Sequence, residues 1–500
     1  MKTHIYNKVK TKKAMAAAGA FALLPFYFFT VLLFTSCDDF LDVRPKSEKV
    51  QEDLFKTADG FESAVYGVYG SMADAGLYGR YMTWGLTDVM AQDLNCTSTT
   101  MTALAKYEYD NTYVETQISN VWSNMYRTIG YANNVLQNLK GHSPGDLPLY
   151  NLYRGEMLAV RAFLHFDLLR LFCSTDTAKT GIPYVTTYGP QVAKFRSVGE
   201  NYRLIINDLQ EAADLLQGMD SDMKYPRDNS AYYKFQKYRE THCNYYAVLG
   251  ILAKVYWQMG DNANAARYAR MVIDSGKFPL AQTSEIRDLF AAKLSDKETL
   301  WGLYSSTYNE TAQTYLYTYS QDVSYNPYST ASGSSKMQTY DQIYALNVAS
   351  TAQDYRTQWF RTENSYTCCL KLVDYHSLDQ NSVKPDGWDN RISGISLLHV
   401  SELYLIAADA LLDSNPSEAK TLYNAETSSR GLPALTADQQ LTHDIIFDEY
   451  HKEMYGEGQV WYFMKKLKKG IQSNAEMRVI PGSETIYNLP IPEDEYTYRN

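Results

Sequence analysis

The stretch YYAVLGILAKVYWQMGDNANAARYARMVIDSGKFPL, residues 245–280, decides the fold class of this 500-residue chain. Its periodicity predicts one helix, a turn at Gly260-Asp261, and a second helix that ends at Gly276. The stretch therefore predicts a helix pair, and the rest of the sequence can be compared with that unit.

This helix pair resembles a tetratricopeptide repeat, in which small residues let the paired helices pack closely. The residues that carry the resemblance are Ala253, Tyr256, Gly260, Ala266 and Ala269. Residues 397–428 look like a second pair, because LLHVSELYLIAADALL is followed by a turn at Asn415-Pro416 and then by SEAKTLYNAETS. Two such pairs predict a helical scaffold.

Helical periodicity dominates most of the remaining sequence, so the predicted fold class is all-α dominated. Residues 155–173 are apolar around most of the circumference, which predicts a deeply buried helix. Gly141 and Pro144 terminate the helix that precedes it. The other predicted helices span residues 52–73, with a break near Gly60, and residues 117–139, 198–217 and 443–467.

A different composition interrupts the helices, because residues 301–344 are rich in tyrosine and poor in charge. Their large rings are Trp301, Tyr304, Tyr308, Tyr315, Tyr317, Tyr319, Tyr325, Tyr328, Tyr340 and Tyr344. Alternation at Tyr315, Tyr317 and Tyr319 predicts a short strand, and long loops are predicted elsewhere in the stretch. Long loops on a rigid scaffold are either functional or disordered, and so many aromatic rings disfavour disorder. We therefore predict a functional loop-rich insertion at about residues 281–395.

The beginning of the chain has the pattern of an export signal. Residues 1–13 hold five lysines and no acidic residue, and residues 14–36 carry no charge. The uncharged stretch is 23 residues long, enough to span a bilayer. It is therefore either a permanent anchor helix or a segment that is removed before Cys37. The small side chains of Thr35 and Ser36 favour removal, because a peptidase needs small residues next to the bond it cuts.

After removal, Cys37 would begin the mature chain and would accept a lipid on its thiol. The sequence LLFTSC resembles the lipobox of bacterial lipoproteins, from which it departs at Phe34, where leucine is preferred. Asp38 and Asp39 resemble the acidic export signal of surface lipoproteins in Bacteroidetes-type bacteria. The alternative is that they begin a solvated tether. We predict a signal peptide at residues 1–36 and a lipid anchor in the outer membrane, with the protein facing the cell exterior.

The charge balance and the cysteine pattern disfavour several classes of protein. The formal net charge is −10, and the chain without its signal segment has 42 basic and 57 acidic residues, or −15. Nucleic acid is therefore not an expected partner, because phosphate contacts need clusters of lysine and arginine. The five cysteines after Cys37 show no CxxC spacing. We expect no zinc site, no other metal and no cofactor.

The sequence predicts no catalytic residue. GHSPG, residues 141–145, matches the pattern of a nucleophile elbow around Ser143, but a helix precedes it and Pro144 follows the serine. An elbow needs a strand before the nucleophile and a helix after it. The histidines lack the HExxH spacing of metalloproteases, and no carboxylate pair stands in a recognisable glycosidase motif. A hydrolase is therefore disfavoured relative to a binding module or a scaffold protein.

Sequence blocks along the whole mature chain resemble the SusD/RagB family of outer-membrane nutrient-binding lipoproteins. In chain order the blocks are CDDFLDVRP from residue 37, GEMLAVRAFLHFDLLRLF from 155, GIPYV from 181, the helix pair from 245, SELYLIAADAL from 401, EYHKEMYGEGQVWYFMKKLKKG from 449 and LPIPEDE from 489. The chain departs from the family at Val460, where arginine is usual, and at Phe463, where aspartate is usual.

The resemblance implies a fold and a function. The family combines a scaffold of tetratricopeptide-like helix pairs with an irregular, loop-rich region, here residues 37–500 as one nutrient-binding domain. Its members capture oligosaccharides, or peptides in some branches, and pass them to a SusC-like TonB-dependent transporter beneath. They have no catalytic chemistry. The alternative without a small ligand is a scaffold protein of the outer membrane, whose tyrosines form an interface.

The resemblance also implies where the ligand binds, because the family's pocket is an arc of aromatic rings with polar side chains nearby. One pocket-forming loop region lies between Asp93 and Trp122, and the other is the tyrosine-rich stretch. The candidate ligand-binding residues are Trp84, Tyr107, Tyr109, Trp301, Tyr304, Tyr325 and Tyr328. The alternative for each ring is packing in the core or on the surface, and the alternative for the tyrosine-rich stretch is contact with the transporter.

Overall fold

The computed structural model describes residues 53–96, 98–220, 231–317, 323–325, 343–344, 353–363, 366–379 and 381–497. The predicted signal peptide, Cys37 and Tyr328 lie outside these ranges. No helix in the ranges given is both long and apolar enough to cross a membrane. The chain forms two units, Met1–Gly60 and Phe61–Asn500, and every contact discussed below lies within the second.

Helices make up most of the described residues, so the predicted all-α dominated fold class is confirmed. We number the helices of eight or more residues in chain order. They are α1 Ala58–Ala73, α2 Thr112–Leu139, α3 Tyr150–Phe172, α4 Val198–Asp220, α5 Tyr245–Met259, α6 Asn262–Ile273, α7 Val400–Leu411, α8 Pro416–Ser429, α9 His443–Met454 and α10 Val460–Leu467. Shorter helical turns outside the loop-rich insertion are Tyr81–Gly85, Thr87–Met90, Thr99–Ala105, Lys234–Gln236, Arg239–Thr241, Glu484–Tyr487 and Asp494–Thr497.

The pair formed by α5 and α6 folds through local signals. Asn244 caps α5, because its side-chain oxygen accepts a hydrogen bond from the Ala247 amide at 3.0 Å. The helix ends at Gly260, whose φ of 90° is the left-handed conformation that glycine adopts readily. Asp261 then caps α6 by accepting a hydrogen bond from the Asn264 amide at 3.1 Å. α7 and α8 form the second pair, and α6 packs against α7, so the two pairs stack as a tetratricopeptide-like scaffold.

The helix α3 is buried around nearly its whole circumference, as its sequence predicts. It packs against α2 and α4. Its charged side chains are paired inside the protein, because an isolated buried charge is strongly unfavourable. Arg161, for example, donates a hydrogen bond from Nε to Oδ2 of Asp208 in α4 at 2.7 Å. The ion pair fixes the two helices in register as well as neutralising the charge.

Residues 443–467 form two helices, α9 and α10, so the prediction of a single helix is wrong. Gly456 and Gly458 lie between them with φ values of 85° and 72°. A Cβ atom on Gly458 would lie 2.4 Å from Oγ1 of Thr87 and 2.6 Å from the carbonyl oxygen of Met82. The position thus needs glycine both for its left-handed backbone and for the close approach of a neighbouring segment.

The strands of the described ranges pair two by two. They are β1 Leu94–Cys96, β2 Thr180–Pro183, β3 Phe195–Ser197, β4 Thr299–Tyr304, β5 Val323–Tyr325, β6 Phe360–Glu363, β7 Tyr366–Cys369, β8 Gly394–His399, β9 Ile471–Ser473 and β10 Arg478–Ile480. The antiparallel pairs are β1 with β5, β2 with β3, β4 with β8, β6 with β7, and β9 with β10. The β4–β8 pair sets Tyr304 opposite Gly394. This pair therefore joins the two ends of the loop-rich insertion.

The loop-rich insertion contains more regular structure than the sequence predicts. Its helical turns are Thr283–Asp288, Tyr308–Ala312, Gln313–Tyr317, Tyr355–Trp359, Tyr375–Ser377 and Trp388–Asn390. Tyr315 and Tyr317 lie in a π-helical turn, so the strand predicted there is wrong for the residues described, and Tyr319 lies outside them. An alternation of three tyrosines is too short to distinguish a strand from a helical turn.

The end of the chain is bonded to the segment that follows α1. The amide of Gly458 donates a hydrogen bond to Oδ1 of Asp88 at 2.9 Å. The amide of Asn474 donates another to Oε1 of Gln92 at 2.8 Å. All four residues are buried or lie in the turn between α9 and α10. These bonds join the segment after α1 to residues 458 and 474, which come late in the chain.

Candidate functional site

Tyr304, the last residue of β4, lies in a pocket of about 650 Å³, which we name the Tyr304 pocket. Its aromatic lining consists of Tyr66, Tyr69, Tyr238 and Tyr304, beside the ring of His242. Its polar lining consists of Lys234, Lys237, Thr241, Asn390, Arg391 and Ser393. The pocket therefore joins one helix, one strand end and two connecting segments.

Secondary structure explains why these distant segments meet. α1 buries Val65 and Val68 in the core, and Tyr66, one position further round the helix, faces outward. The β4–β8 pair continues past Tyr304, because the Ser305 amide donates a hydrogen bond to the carbonyl oxygen of Ser393 at 3.1 Å. That bond keeps residues 390–393 beside Tyr304.

Three tyrosine rings of the pocket are accessible to a ligand. Tyr304 is 62% exposed, Tyr238 is 48% exposed and Tyr66 is 45% exposed. The Tyr66 ring lies 5.5 Å from the Phe235 ring and 5.7 Å from the His242 ring, measured between centroids. These contacts hold one edge of Tyr66 while the rest of its surface stays open. Rings held in this way lose little conformational freedom when a ligand binds.

Beneath the rings is a buried network of charged groups. Glu156 of α3 accepts hydrogen bonds on Oε2 from the Tyr69 hydroxyl at 2.7 Å and contacts Nδ1 of His242 at 3.0 Å. Its Oε1 accepts a bond from Nη1 of Arg239 at 2.5 Å. Arg239 also binds both carboxylate oxygens of Asp220, at 2.7 and 2.9 Å. The pocket floor is therefore fixed by a bonded ion-pair network.

The network changes the ionisation of its members. Burial alone would raise the pKa of Glu156, but the charge of Arg239 and the bonds from His242 and Tyr69 lower that pKa below its usual value. Burial raises the pKa of Tyr66 to about 12, and the negative charge of Glu156 contributes to the rise. The Tyr66 hydroxyl therefore keeps its proton at neutral pH and is a hydrogen-bond donor.

Arg391 forms a fixed wall of the pocket. Its Nη1 donates a hydrogen bond to the carbonyl oxygen of Asp288 at 2.5 Å, and its Nη2 donates one to that of Leu294 at 3.2 Å. Its guanidinium carbon also lies 5.0 Å from the Trp388 ring centroid. These carbonyl acceptors carry no full charge, so the positive charge of Arg391 is held in place without a bonded carboxylate.

Among the predicted site residues, Trp84, Tyr107 and Trp301 are buried and do not present their rings to solvent. Trp301 packs against the Phe163 ring at 5.0 Å between centroids, and it contacts the Tyr69 ring at 6.5 Å. It therefore supports the pocket floor from the core. For these three rings, core packing replaces the predicted ligand contact.

The hydroxyls of Tyr107 and Tyr109 are used within the protein. Tyr107 donates a hydrogen bond to the carbonyl oxygen of Met90 at 2.8 Å, and its ring stacks on Trp461 at 6.0 Å. Tyr109 is half-buried and donates a hydrogen bond to the carbonyl oxygen of Ile486 at 2.7 Å. Tyr107 therefore packs within the core, Tyr109 bonds a segment near the end of the chain, and neither lines the Tyr304 pocket.

The two predicted loop regions do meet, although through backbone rather than through a shared pocket. The β1–β5 pair sets Leu94 opposite Tyr325, so the first loop region adjoins the tyrosine-rich stretch. Arg80 precedes β1 in the sequence. Its guanidinium carbon lies 3.6 Å from the Tyr315 ring centroid and 5.1 Å from the Tyr81 ring centroid. This cation–π cluster joins the segment before the first loop region to the tyrosine-rich stretch.

A second pocket, of about 730 Å³, lies elsewhere on the molecule, and we name it the Tyr188 pocket. Its aromatic lining consists of Tyr126, Tyr131 and Tyr188. Its charged lining consists of Arg127, Asp494 and Glu495. Part of its wall is the irregular segment 187–193, which connects β2 to β3. The Tyr188 pocket contains none of the predicted site residues.

One buried cluster has the composition of a metal site, namely Glu298, His399 and Glu453. Both carboxylate oxygens of Glu298 accept hydrogen bonds from Arg430 at 2.8 Å, and Glu453 accepts two more from the same guanidinium at 2.6 and 2.9 Å. The Nε2 atom of His399 lies 2.9 Å from Oε2 of Glu457. The Arg430 guanidinium already holds these oxygens, so the cluster fits an ion-pair network and not a cation.

Five residues of the pocket lining are not predicted from the sequence, namely Tyr66, Tyr238, Lys234, Lys237 and Asn390. One signal for Tyr66 is local, because it stands one residue after Val65 and therefore off the apolar face of α1. The segment KFQKYRETH, residues 234–242, combines basic and aromatic residues in a loop. Nothing in either segment indicates that the two meet beside Tyr304.

Comparison with known proteins agrees with this architecture. A sequence profile described as starch-binding and associating with the outer membrane, of the SusD-like type, matches residues 39–257. A SusD-like protein of Bacteroides ovatus is 23% identical over 481 residues, which cover 87% of this chain and 80% of the relative. SusD-like protein P38 of Formosa agariphila is 22% identical over 491 residues, covering 87% and 89%.

Solved structures share the fold. A SusD superfamily protein from Bacteroides thetaiotaomicron aligns with a TM-score of 0.64 and 21% identity, over 88% of this chain and 98% of that one. A SusD-like carbohydrate binding protein from Bacteroides vulgatus aligns with a TM-score of 0.65 and 19% identity, over 88% and 96%. The profile match over residues 39–257 and the two relatives along most of the sequence show that this chain is similar to SusD-like proteins, and the solved structures show that it shares their fold.

Proposed function

We propose that this protein is a lipid-anchored outer-membrane protein, with residues 37–500 as its mature domain, that captures an oligosaccharide and delivers it to a SusC-like TonB-dependent transporter. The observation that carries the proposal is the Tyr304 pocket, in which Tyr66, Tyr238 and Tyr304 expose their rings around a common space. The profile match to a starch-binding family supports a sugar as the ligand.

The chemistry of the pocket suits a sugar. Tyrosine rings pack against the apolar C–H faces of sugar rings, and amide, hydroxyl and amine groups bond their hydroxyls. Asn390, Thr241 and Ser393 supply such groups beside the rings. A volume of about 650 Å³ lies within the usual range for ligand pockets.

The lining also supports binding rather than hydrolysis. A glycosidase needs two positioned carboxylates, one as an acid and one as a base or nucleophile. Among the described residues that line the Tyr304 pocket there is no aspartate and no glutamate. The nearest carboxylate of the floor, Glu156, has both oxygens bonded to protein groups. The proposal therefore includes no catalytic step.

Calorimetry of the full chain in detergent tests the binding step. Neutral and acidic oligosaccharides and short peptides are titrated into the protein, the Tyr304→Ala variant and a control variant, Tyr113→Ala. Tyr113 is an exposed tyrosine that lines neither pocket. We expect an oligosaccharide to bind, and Tyr304→Ala to weaken it about tenfold, or about 1.4 kcal/mol, with no effect of Tyr113→Ala. Binding of peptides alone would transfer the proposal to the peptide-binding alternative, and no binding of any kind would contradict it.

Labelling cells with a clickable fatty acid tests the anchor. We expect the expressed protein to take up the label, Cys37→Ser to abolish the uptake, and Cys96→Ser to leave it unchanged. Cys96 is a partly exposed cysteine in β1 and serves as the matched control. Label that persists in Cys37→Ser would contradict the lipid anchor.

Affinity purification from the native outer membrane tests the partner. We expect a TonB-dependent transporter to co-purify with the tagged protein. If the protein is recovered with other envelope proteins and without a transporter, the scaffold alternative is favoured instead.

A further inference from the structure

The charged side chains that line the Tyr304 pocket all carry the same sign. They are Lys234, Lys237 and Arg391, and no acidic residue accompanies them among the described residues of the lining. The whole chain has a net charge of −10, so a cationic pocket is opposite in sign to the protein that contains it. The positive charge of the pocket therefore comes from the residues that line it and not from the net charge of the chain.

Two acidic groups beneath the pocket, Glu156 and Asp220, are bonded within its floor. Glu156 uses both oxygens for Arg239, Tyr69 and His242. Asp220 binds Arg239 with both oxygens and also accepts a hydrogen bond from the Tyr245 amide at 3.1 Å. Both carboxylates are buried. They neutralise Arg239 and leave no oxygen directed to a ligand.

Lys234 and Lys237 line the pocket, and no carboxylate of the described ranges forms an ion pair with either of them. Lys234 is exposed and Lys237 is half-buried. A lysine ammonium on a flexible stem adapts to the position of an anionic group. Arg391 lines the same pocket, with its guanidinium held by the carbonyl oxygens of Asp288 and Leu294. The pocket thus offers two adjustable cations and one immobile cation beside three exposed rings.

We infer that the ligand of the Tyr304 pocket is an anionic oligosaccharide, whose sugar rings pack on the tyrosines and whose carboxylate or sulfate groups pair with Lys234 and Lys237. This inference rests on the proposed function and specifies its ligand class. Charge-assisted hydrogen bonds are stronger than those between neutral groups, so the anionic group adds affinity as well as specificity. Screening by salt weakens such pairs at an exposed rim.

The test is calorimetry of the full chain in detergent against a matched set of probes. The set is an oligogalacturonide of four residues, its fully methyl-esterified form, and a sulfated galactan oligosaccharide of the same length with its desulfated form. We expect at least one anionic form to bind about tenfold more tightly than its neutral counterpart. We expect the difference to shrink at high ionic strength. The uronate and sulfate arms show which anionic group is recognised.

Charge-neutralising variants connect the preference to the two lysines. We expect the double variant Lys234→Gln/Lys237→Gln to remove the preference for the anionic form while the affinity for the neutral form stays within about twofold. Lys140→Gln is the control, because Lys140 is an exposed lysine at the end of α2 and outside the pocket. Both lysines of the double variant lie at the rim, and circular dichroism confirms that the fold is intact.

The outcomes separate this inference from the proposed function. Equal binding of anionic and neutral forms, weakened by Tyr304→Ala, would overturn the inference and leave the proposed function standing. A preference for the anionic form that survives the double lysine variant would also overturn it, because the anion would then be recognised elsewhere. If no oligosaccharide of any charge binds, the proposed function falls and this inference falls with it.

Discussion

The Tyr304 pocket and the Tyr188 pocket have nearly the same size and differ in what supports them. Their volumes are about 650 and 730 Å³, and tyrosines form the aromatic wall of both. The Tyr304 pocket stands on the bonded network of Glu156, Arg239 and Asp220. The Tyr188 pocket is walled partly by an irregular segment and by the exposed Asp494 near the end of the chain.

The two pockets also differ in the charge of the residues that line them. The Tyr304 pocket is lined by cations, whereas Arg127 of the Tyr188 pocket stands among Asp494 and Glu495. Cavity size and tyrosine content therefore do not identify a binding site by themselves. A fixed floor and a consistent charge are the properties that distinguish the Tyr304 pocket, and each can be removed separately.

The largest expected effect comes from the floor of the Tyr304 pocket. We expect Glu156→Gln to lower the free energy of unfolding by about 3 to 5 kcal/mol, because it removes one partner of a buried ion pair and leaves Arg239 short of charge compensation. The matched change in the other pocket, Asp494→Asn, should stay within about 0.5 kcal/mol, because Asp494 is exposed. Urea denaturation followed by circular dichroism measures the free energy of unfolding of both variants. Equal losses of stability would show that the Tyr304 pocket has no more rigid a floor than the Tyr188 pocket.

A smaller effect is expected from a matched pair of tyrosines. Tyr66 in α1 and Tyr131 in α2 are both helical and are 45% and 42% exposed. We expect Tyr66→Ala to weaken binding of the oligosaccharide by about 1 to 2 kcal/mol and Tyr131→Ala to leave it unchanged. Isothermal titration calorimetry of both variants with the same ligand gives the two changes in binding free energy. An effect confined to Tyr131→Ala would place the ligand in the Tyr188 pocket.

The smallest of the three effects is a pH dependence of stability. The folded pKa of Glu156 lies below that of the unfolded chain, so its stabilising contribution is present above about pH 4.5 and is lost as the pH falls through the folded pKa. A single group contributes at most about 1.4 kcal/mol per pH unit to this slope. We expect the stability difference between the wild type and Glu156→Gln to narrow as the pH falls from 5.5 to 3, in urea titrations at each pH. A constant difference over that range would contradict the role assigned to Glu156.

Local signals made most of the scaffold predictable. Caps and turns next to the helices, such as Asn244 and Gly260 around α5, act over a few residues and can be read in the sequence. The break between α9 and α10 also has a local signal in Gly456 and Gly458, but helical periodicity on both sides outweighed it in the prediction. The helix pairs could be predicted from their own sequences because their caps and turns lie within a few residues of the helix ends.

The candidate site could be predicted only in part, because it is built from distant segments. Tyr304 was predicted and lines the pocket, whereas Trp84 and Trp301 are buried. An aromatic ring serves equally well in a core and at a ligand surface, so residue type alone cannot separate these outcomes. Lys234 and Tyr304 line the same pocket because β4, α1 and the segment before α5 pack together. No local sequence pattern indicates that these three segments are close in space.

The hydrogen bonds between the segment after α1 and residues late in the chain determine which contacts of this protein form last. Asp88 and Gly458 are 370 positions apart, and Gln92 and Asn474 are 382 apart. A nascent chain that emerges from its N-terminus cannot form these bonds until almost all of it has been synthesised. Closing such long-range contacts is slow, and earlier intermediates remain open. These two contacts therefore form late, after most of the scaffold helices have been synthesised.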